Sequence, residues 1–179
     1  KNNPEIENFP YRELVGALQW LATQCRPDIA QPTSLVASYS SKPPTRSRVA
    51  AVKKILLYVK GTPLIGIHYS KSGEDQFNRI FRSMIEEQMD DLESYTPDER
   101  KKILDSRWAS FSDASFASTH NLYSCSGSIM YFRGCPILWR TKRQSVRSFS
   151  STEAEFIAAS DTINLENEIA FANFLKFDP

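Results

Sequence analysis

Asp113 sits inside an apolar, strand-like segment, SFSDASFAS, and Glu155 sits one turn into a helical pattern, SSTEAEFIAAS. Between them runs a basic segment, LWRTKRQSVRSF, containing Lys142, Arg143, Gln144 and Arg147. Two carboxylates delivered by different elements can hold hydrated Mg²⁺, which keeps several waters and needs only a few protein oxygens. Basic side chains at a hairpin end suit a phosphodiester backbone. The pattern therefore points to metal-dependent phosphodiester hydrolysis. Each residue also has an ordinary reading. An Asp-Ala-Ser sequence ends many strands, an acid near a helix N-terminus complements the helix dipole in any protein, and a basic hairpin is commonly plain solvated surface. Glu153, two residues before Glu155, projects from a different side of the helix and reads as the dipole-complementing acid.

These residues need elements to position them. Trp108 to Phe116, Ser126 to Phe132 and Pro136 to Arg140 are β-rich, and Arg133-Gly134 marks a hairpin turn between the latter two. Val146 to Phe149 reads as a further short strand. A helix follows from about Thr152 to Phe174, with Ser151 or Thr152 as N-cap and Ala154, Ile157 and Ala158 facing inward. The amino-terminal part reads differently. Leu14, Ala17, Leu18, Leu21 and Ala22 form a helical stripe over Tyr11 to Thr23. A second helix spans roughly Asp28 to Tyr39, presenting Ile29, Leu35 and Val36. A third starts at Thr45 with Val49, Val52, Ile55, Leu56 and Val59 on one face, closed by Gly61-Thr62-Pro63. Leu64 to Tyr69 reads as a short strand. Between the two parts, Phe77 to Tyr95 has the pattern of an acidic amphipathic helix, its apolar side carrying Phe77, Ile80, Phe81, Met84, Ile85 and Met89. Thr96-Pro97-Asp98-Glu99 is an N-cap followed by Pro and acids, so a short helix to Leu104 is expected. Trp20, Trp108 and Trp139 lie in apolar patterns and are assigned to the core.

Composition narrows the class. At 179 residues, 41% hydrophobic and 24% charged, the chain has enough apolar residues for a globular core. No window approaches the roughly 20 apolar residues of a membrane span. The polar start, KNNPEIENFPYREL, contains no signal-peptide h-region, and a first residue other than Met reads as a piece of a longer chain. The three cysteines, Cys25, Cys125 and Cys135, form no CxxC pair and read as reduced intracellular thiols. With His68 and His120 the only histidines, a zinc site is not expected. A net charge of +1 conceals an asymmetry: residues 1–70 hold nine Lys/Arg against four Asp/Glu, and residues 71–107 hold seven against ten. A basic front suits a polyanion, though a solvated helix face accounts for the same charges.

Several motifs in one order carry a resemblance. YRELVGALQWLATQCRPDIA and AAVKKILLYVKGT resemble the end of the reverse transcriptase of copia-type retrotransposon Pol polyproteins, its thumb and connection region. SDASFAS, SGSIMYFRGCPILWRTKRQ and SSTEAEFIAAS resemble that family's ribonuclease H segments. The resemblance covers nearly everything outside 71–107. It implies an α/β (α+β) chain in three parts. Residues 1–70 form a helical thumb-like unit, 71–107 an acidic helical insertion or linker, and 108–179 a partial RNase H-like mixed sheet with its first helix. It implies that Asp113 and Glu155 are catalytic carboxylates binding Mg²⁺ or Mn²⁺, acting by two-metal hydrolysis of the RNA strand of RNA–DNA hybrids. It places Lys142, Arg143, Gln144 and Arg147 near the nucleic-acid backbone, and Lys53 and Lys54 on the thumb-like helix as sequence-independent phosphate contacts. The implied partners are an RNA–DNA hybrid or other nucleic acid and the remainder of a Pol polyprotein. No membrane partner is implied, and the setting is the cytoplasm, a virus-like particle or the nucleus.

Two departures qualify this. Tyr123 stands before Ser124-Cys125-Ser126-Gly127, where the family usually has a basic residue. The family's third metal-binding aspartate lies in a Y-x-D-N-like segment after the first helix, and a fourth lies later still. Neither segment occurs before Pro179, and Asp161 and Asp178 are poor substitutes. The expectation is a metal position poorly held and a chain inactive by itself. The alternative is a non-catalytic nucleic-acid-binding or protein-interaction module, with 71–107 as its novel surface.

Overall fold

The computed structural model describes residues 4–90, 96–117 and 122–176, with side chains over 6–87, 96–117 and 122–167. After a short turn of helix, α1 (Pro4–Glu7), a helical unit is built from α2 (Tyr11–Gln24), a 3₁₀ turn (Pro27–Ile29), α3 (Ala30–Ala37) and α4 (Arg46–Gly61). Its core joins Tyr11, Val15, Leu18 and Ala22 of α2 to Ile29, Val36, Val52 and Ile55. The α2 stripe is thus turned slightly from the expected one: Val15 replaces Ala17, and Leu14 and Leu21 flank it half-buried. Trp20 is 63% exposed, not core, because it lies off this stripe. The second expected helix divides at Ala30, and Pro32 is tolerated because it falls in the first turn of α3, where no N–H is needed. Thr45 caps α4, its Oγ1 accepting from the Arg48 amide.

Arg26 ties the end of α2 to the end of α4. Its guanidinium donates to both Asp28 carboxylate oxygens, to the Thr62 carbonyl and to Thr62 Oγ1, and lies over the Tyr58 ring. The Arg-Pro-Asp sequence is therefore a structural clamp. Arg26 holds the Asp28 carboxyl below the usual carboxylate range, chiefly by hydrogen bonding.

Residues Leu64–Tyr69 form no strand, and Leu64 is 89% exposed. Tyr69 instead donates its hydroxyl to the Pro136 carbonyl. α5 (Lys71–Asp90) begins six residues before the expected start, since Ser70 Oγ accepts the Gly73 amide there. Its expected end at Tyr95 lies outside the described residues, as do His120 and Asp178. α6 (Pro97–Leu104) opens with the expected cap, completed by Glu99 into a reciprocal capping box.

The sheet is β1 (Trp108–Ser115), β2 (Cys125–Phe132) and β3 (Cys135–Arg143), antiparallel in that order. A parallel strand, which a mixed sheet requires, is not among the described residues. Val146–Phe149 is an irregular segment, not a strand, because the chain there turns inward at Ser148 and leads into α7 (Ser151–Lys176). Strand alternation decides which side chains face which layer. Ser110 of β1 meets Glu166 of α7, and Ser128, paired with Ser112, meets Thr162. Even-numbered β1 positions therefore face α7, which presents Ala154, Ala158, Thr162 and Leu165. The odd face carries Phe111 and Tyr131, packed against Phe81 and Phe77 of α5. On the same face Trp139 donates its indole N–H to the Ala22 carbonyl of α2. The sheet lies between α7 on one side and α5 with the helical unit on the other. Among the described residues no helix is long and apolar enough to cross a membrane.

The Arg133-Gly134 turn has φ of 50° and 74°, the doubly positive pair that a two-residue hairpin matched to strand twist demands. An added Cβ at Gly134 would stand 2.8 Å from Phe77 Cβ and 3.1 Å from Glu74 Cα, so this turn is also where the sheet touches α5. Gly134→Ala should cost about 2 kcal/mol, from positive φ plus displacement of α5. Urea unfolding measures it; a change below about 0.5 kcal/mol, the level of an ordinary surface substitution, would contradict the contact.

Candidate nucleic-acid interface

β3 runs into the segment 144–150, which is shaped by one buried amide. Gln144 is 1% exposed. Its Nε2 donates to Ser126 Oγ at 3.1 Å and to the Ala154 carbonyl at 2.9 Å, and its Oε1 accepts from Ser148 Oγ at 2.9 Å. Ser148 in turn shares a hydrogen bond with Ser124. The expected role of Gln144 as a nucleic-acid contact is therefore corrected. Its polar atoms are consumed inside the protein, joining β2, the loop and the first turn of α7.

With Gln144 turned inward, its neighbours turn out. Arg143 and Arg147 are exposed and place their guanidinium carbons 5.0 Å and 5.2 Å from the centre of the Tyr123 ring. The quadrupole of the ring attracts both cations and so holds two like charges together. Tyr123 was visible in sequence only as a departure from a basic position; its part here depends on two arginines that sequence spacing does not bring to it. Lys142 points to the α7 side of the sheet and meets Asp161 at 3.6 Å. Asp161 is thereby a partner of Lys142, an exposed pair of small energetic weight. Lys53 and Lys54 belong to the helical unit. Lys53 lies over the Phe9 ring at 5.7 Å, and Lys54 borders an apolar groove with Tyr58 between α3 and α4.

The carboxylates occupy different surroundings. Asp113 is exposed on the odd face of β1, opposite Gly127, and lines a cleft with Pro27, Ala30, Phe111 and Trp139. Glu155 is exposed on α7, which packs on the other face. Glu153 is fully engaged at the helix start. Its amide donates to Ser150 Oγ, and its carboxylate accepts the Phe149 amide at 2.6 Å. The cap is thus Ser150, one residue before the expected Ser151 or Thr152, and Glu153 has the dipole-complementing place assigned to it. Among the described residues no three of His, Cys, Asp or Glu group so as to hold a metal ion. The donor set does not fit a two-metal centre, which needs several carboxylates converging from different elements. The three cysteines are free.

No family model matches the chain, and no solved structure matches it. Among curated proteins it is 32% identical over 153 residues to the Retrovirus-related Pol polyprotein from transposon RE1 of Arabidopsis thaliana, covering 85% of this chain but 8% of that protein. It is 29% identical over 157 residues to the Pol polyprotein from transposon TNT 1-94 of Nicotiana tabacum, covering 88% of this chain and 9% of the polyprotein. It is also 26% identical over 158 residues to Secreted RxLR effector protein 161 of Plasmopara viticola, covering 87% of this chain and 88% of that protein. Homologues of the chain thus include retrotransposon Pol polyproteins, of which it spans a small part.

Proposed function

We propose that this chain is a transposon-derived fragment that binds nucleic acid through backbone phosphates, with an RNA–DNA hybrid as its partner, and that does not cleave the hybrid by itself. The observation that carries this reading is the convergence of Arg143 and Arg147 on Tyr123. Two guanidiniums held by one aromatic ring lose little further freedom on meeting a phosphate, and each offers paired N–H donors to it. Tyr123 acts as a positioning residue for both. The similarity to retrotransposon Pol polyproteins, with the sequence resemblance to ribonuclease H segments, supports an RNA–DNA hybrid as the partner. Asp113 lies on the sheet face away from α7, which supports binding over turnover: hydrolysis at Asp113 and Glu155 with Mg²⁺ or Mn²⁺ would need donors that the described residues do not assemble.

Hybrid binding should weaken with salt, the logarithmic slope rising by about 0.9 for each phosphate neutralised. Arg143→Ala with Arg147→Ala should reduce that slope by about 2. Tyr123→Ala should weaken binding several-fold although it removes no charge, while Tyr123→Phe should retain it. An unchanged salt slope in the double variant would sink the assignment. Incubation with Mg²⁺ or Mn²⁺ should leave a labelled hybrid intact; cleavage that Asp113→Asn abolishes would show an enzyme instead.

One observation favours a second reading. The match to the Plasmopara viticola effector protein spans 88% of that protein, so a unit of this size makes up most of a protein there. On this reading the chain is a non-catalytic protein-interaction module, with the acidic helix α5 as its contact surface. A folded chain that shows no hybrid binding at low salt would favour it.

A further inference from the structure

The loop anchored by Gln144 carries a hydroxyl that the fold does not use. Ser145 follows Gln144 directly, is exposed, and its Oγ makes no hydrogen bond among the described residues. The serines after it are engaged. Ser148 is buried in the Gln144 network, and Ser150 Oγ accepts the Glu153 amide at the start of α7. Burial of Gln144 and Ser148 pins the backbone on either side of Ser145, so its hydroxyl is presented to solvent at a fixed place.

Cations surround that hydroxyl in the sequence. Lys142 and Arg143 stand three and two residues before it, and Arg147 stands two after. Ser145 is the one serine or threonine of the chain with basic residues at both preceding positions. A protein kinase whose acidic pockets take those two side chains chooses its acceptor by such a charge pattern. Lys142 and Arg143 are both exposed, one held by the surface pair with Asp161 and the other by the Tyr123 ring. Among the described residues β3 pairs with β2 alone. The extended stretch leading to the acceptor therefore has an unpaired backbone edge that a kinase cleft can receive. Ser150 also has an arginine, Arg147, three residues before it, but its oxygen is occupied as the cap of α7.

We propose that Ser145 is a phosphorylation site for a basic-directed protein kinase using ATP, and that its phosphate takes Arg143 and Arg147 away from nucleic acid. The second half rests on the phosphate-binding role given to these arginines above. In the transfer the Ser145 oxygen attacks the γ-phosphorus of ATP. An O–P bond forms while the bond to the β,γ-bridging oxygen breaks, ADP leaves, and the hydroxyl proton passes to the kinase's catalytic carboxylate. The product carries a charge of about −1.5 to −2 at pH 7, enough to offset both guanidiniums. The Ser145 Cα lies at most about 7 Å from that of either arginine, two residues away on each side. Each guanidinium offers paired N–H donors to a phosphate. A phosphate on the same loop meets them at a far higher effective concentration than one in solution.

The test is incubation of the folded chain with ATP and the catalytic subunit of the cyclic-AMP-dependent kinase, followed by mass spectrometry. One phosphate should appear on Ser145, and Ser145→Ala should lose it. Lys142→Ala should slow the transfer. Absence of phosphate from Ser145 would overturn the proposal. Two readouts then follow the modified chain. Its binding to a labelled RNA–DNA hybrid should fall about tenfold at low salt, and the logarithmic salt slope should drop by about 2. Unmodified Ser145→Ala should bind like the parent. In ³¹P titration the second ionisation of the phosphate should lie below its ordinary value of about 6, because the guanidiniums favour the dianion. Arg147→Ala, which leaves the residues before the acceptor intact, should bring it back toward that value. Hybrid binding unchanged by the phosphate, or an ordinary ³¹P titration, would sink the arginine capture. If the unmodified chain binds no hybrid, the nucleic-acid reading fails, and the ³¹P titration still decides whether the arginines hold the phosphate.

Discussion

Arg26→Met should lower the unfolding free energy by about 2–4 kcal/mol, because a buried guanidinium gives up its hydrogen bonds to Asp28 and Thr62 and those to a charged partner are worth about 1.5–3 kcal/mol. The reason is the company Arg26 keeps. At 4% exposure it forms a two-pronged bond to Asp28 and donates twice more to Thr62. Without it, the Thr62 carbonyl and hydroxyl lose their guanidinium donor and the last turn of α4 loses its anchor, while the exposed Asp28 carboxylate turns to water. The double variant Arg26→Met with Asp28→Leu should lose less than the sum of the two single variants, because the hydrogen bonds between the two side chains can be lost only once. Chemical unfolding of the two single variants and the double variant measures this; additive losses would mean that the pair does not act as a unit.

The same contact sets an acid response. Hydrogen bonding to Arg26 depresses the Asp28 carboxyl in the folded chain. A group whose folded pKa lies below its unfolded value stabilises at every pH above the unfolded value, about 3.9 for aspartate. The contribution declines as pH falls from there through the folded value. The parent chain should therefore lose stability below about pH 4, and Arg26→Met should lose less over the same interval.

Gln144→Leu should cost about 3 kcal/mol. Leucine is close in volume, so little cavity forms, and the loss comes from polar groups left behind. Ser126 and Ser148 each lose a hydrogen-bond partner, and the Ala154 carbonyl loses its side-chain donor. Each buried group left unsatisfied costs about 1–3 kcal/mol, offset in part by relaxation among the serines. The effect should be local as well as global. Amide hydrogen exchange should accelerate over the first turn of α7 and over β2 near Ser126, because Gln144 is what connects them. A cost under 1 kcal/mol would show that this network contributes little to the docking of α7.

How far these features were legible depended on how local they are. The α2 and α4 stripes, the Thr45 and Thr96 caps, the strands of the sheet and the Arg133-Gly134 turn all follow from residues within a few positions of one another, where spacing and backbone preference suffice. The misassigned strands at Leu64–Tyr69 and Val146–Phe149 have strand-like composition, but a strand exists only when another edge receives it, and none does here. Glu153 was separable from Glu155 because helix geometry places them on different sides whatever the fold.

The candidate site was less legible. Lys142, Arg143, Gln144 and Arg147 look alike in sequence as one polar run, and period-two alternation suggests only that neighbours diverge. The surrounding serines and the Ala154 carbonyl made Gln144 an interior strut, and Tyr123, some twenty residues away, gathered the two arginines. By itself the sequence determined most of the helices, the three strands of the sheet, the Thr45 and Thr96 caps, the hairpin turn and the charge of the segments, because those properties are written in local chemistry. Only the tertiary structure decided the face of the sheet on which Asp113 stands, the partner of Asp161 and the packing that leaves the buried Thr33 hydroxyl without a partner. Those outcomes depend on strand register and on which layer covers each face, and a register shift of one residue would reverse them all.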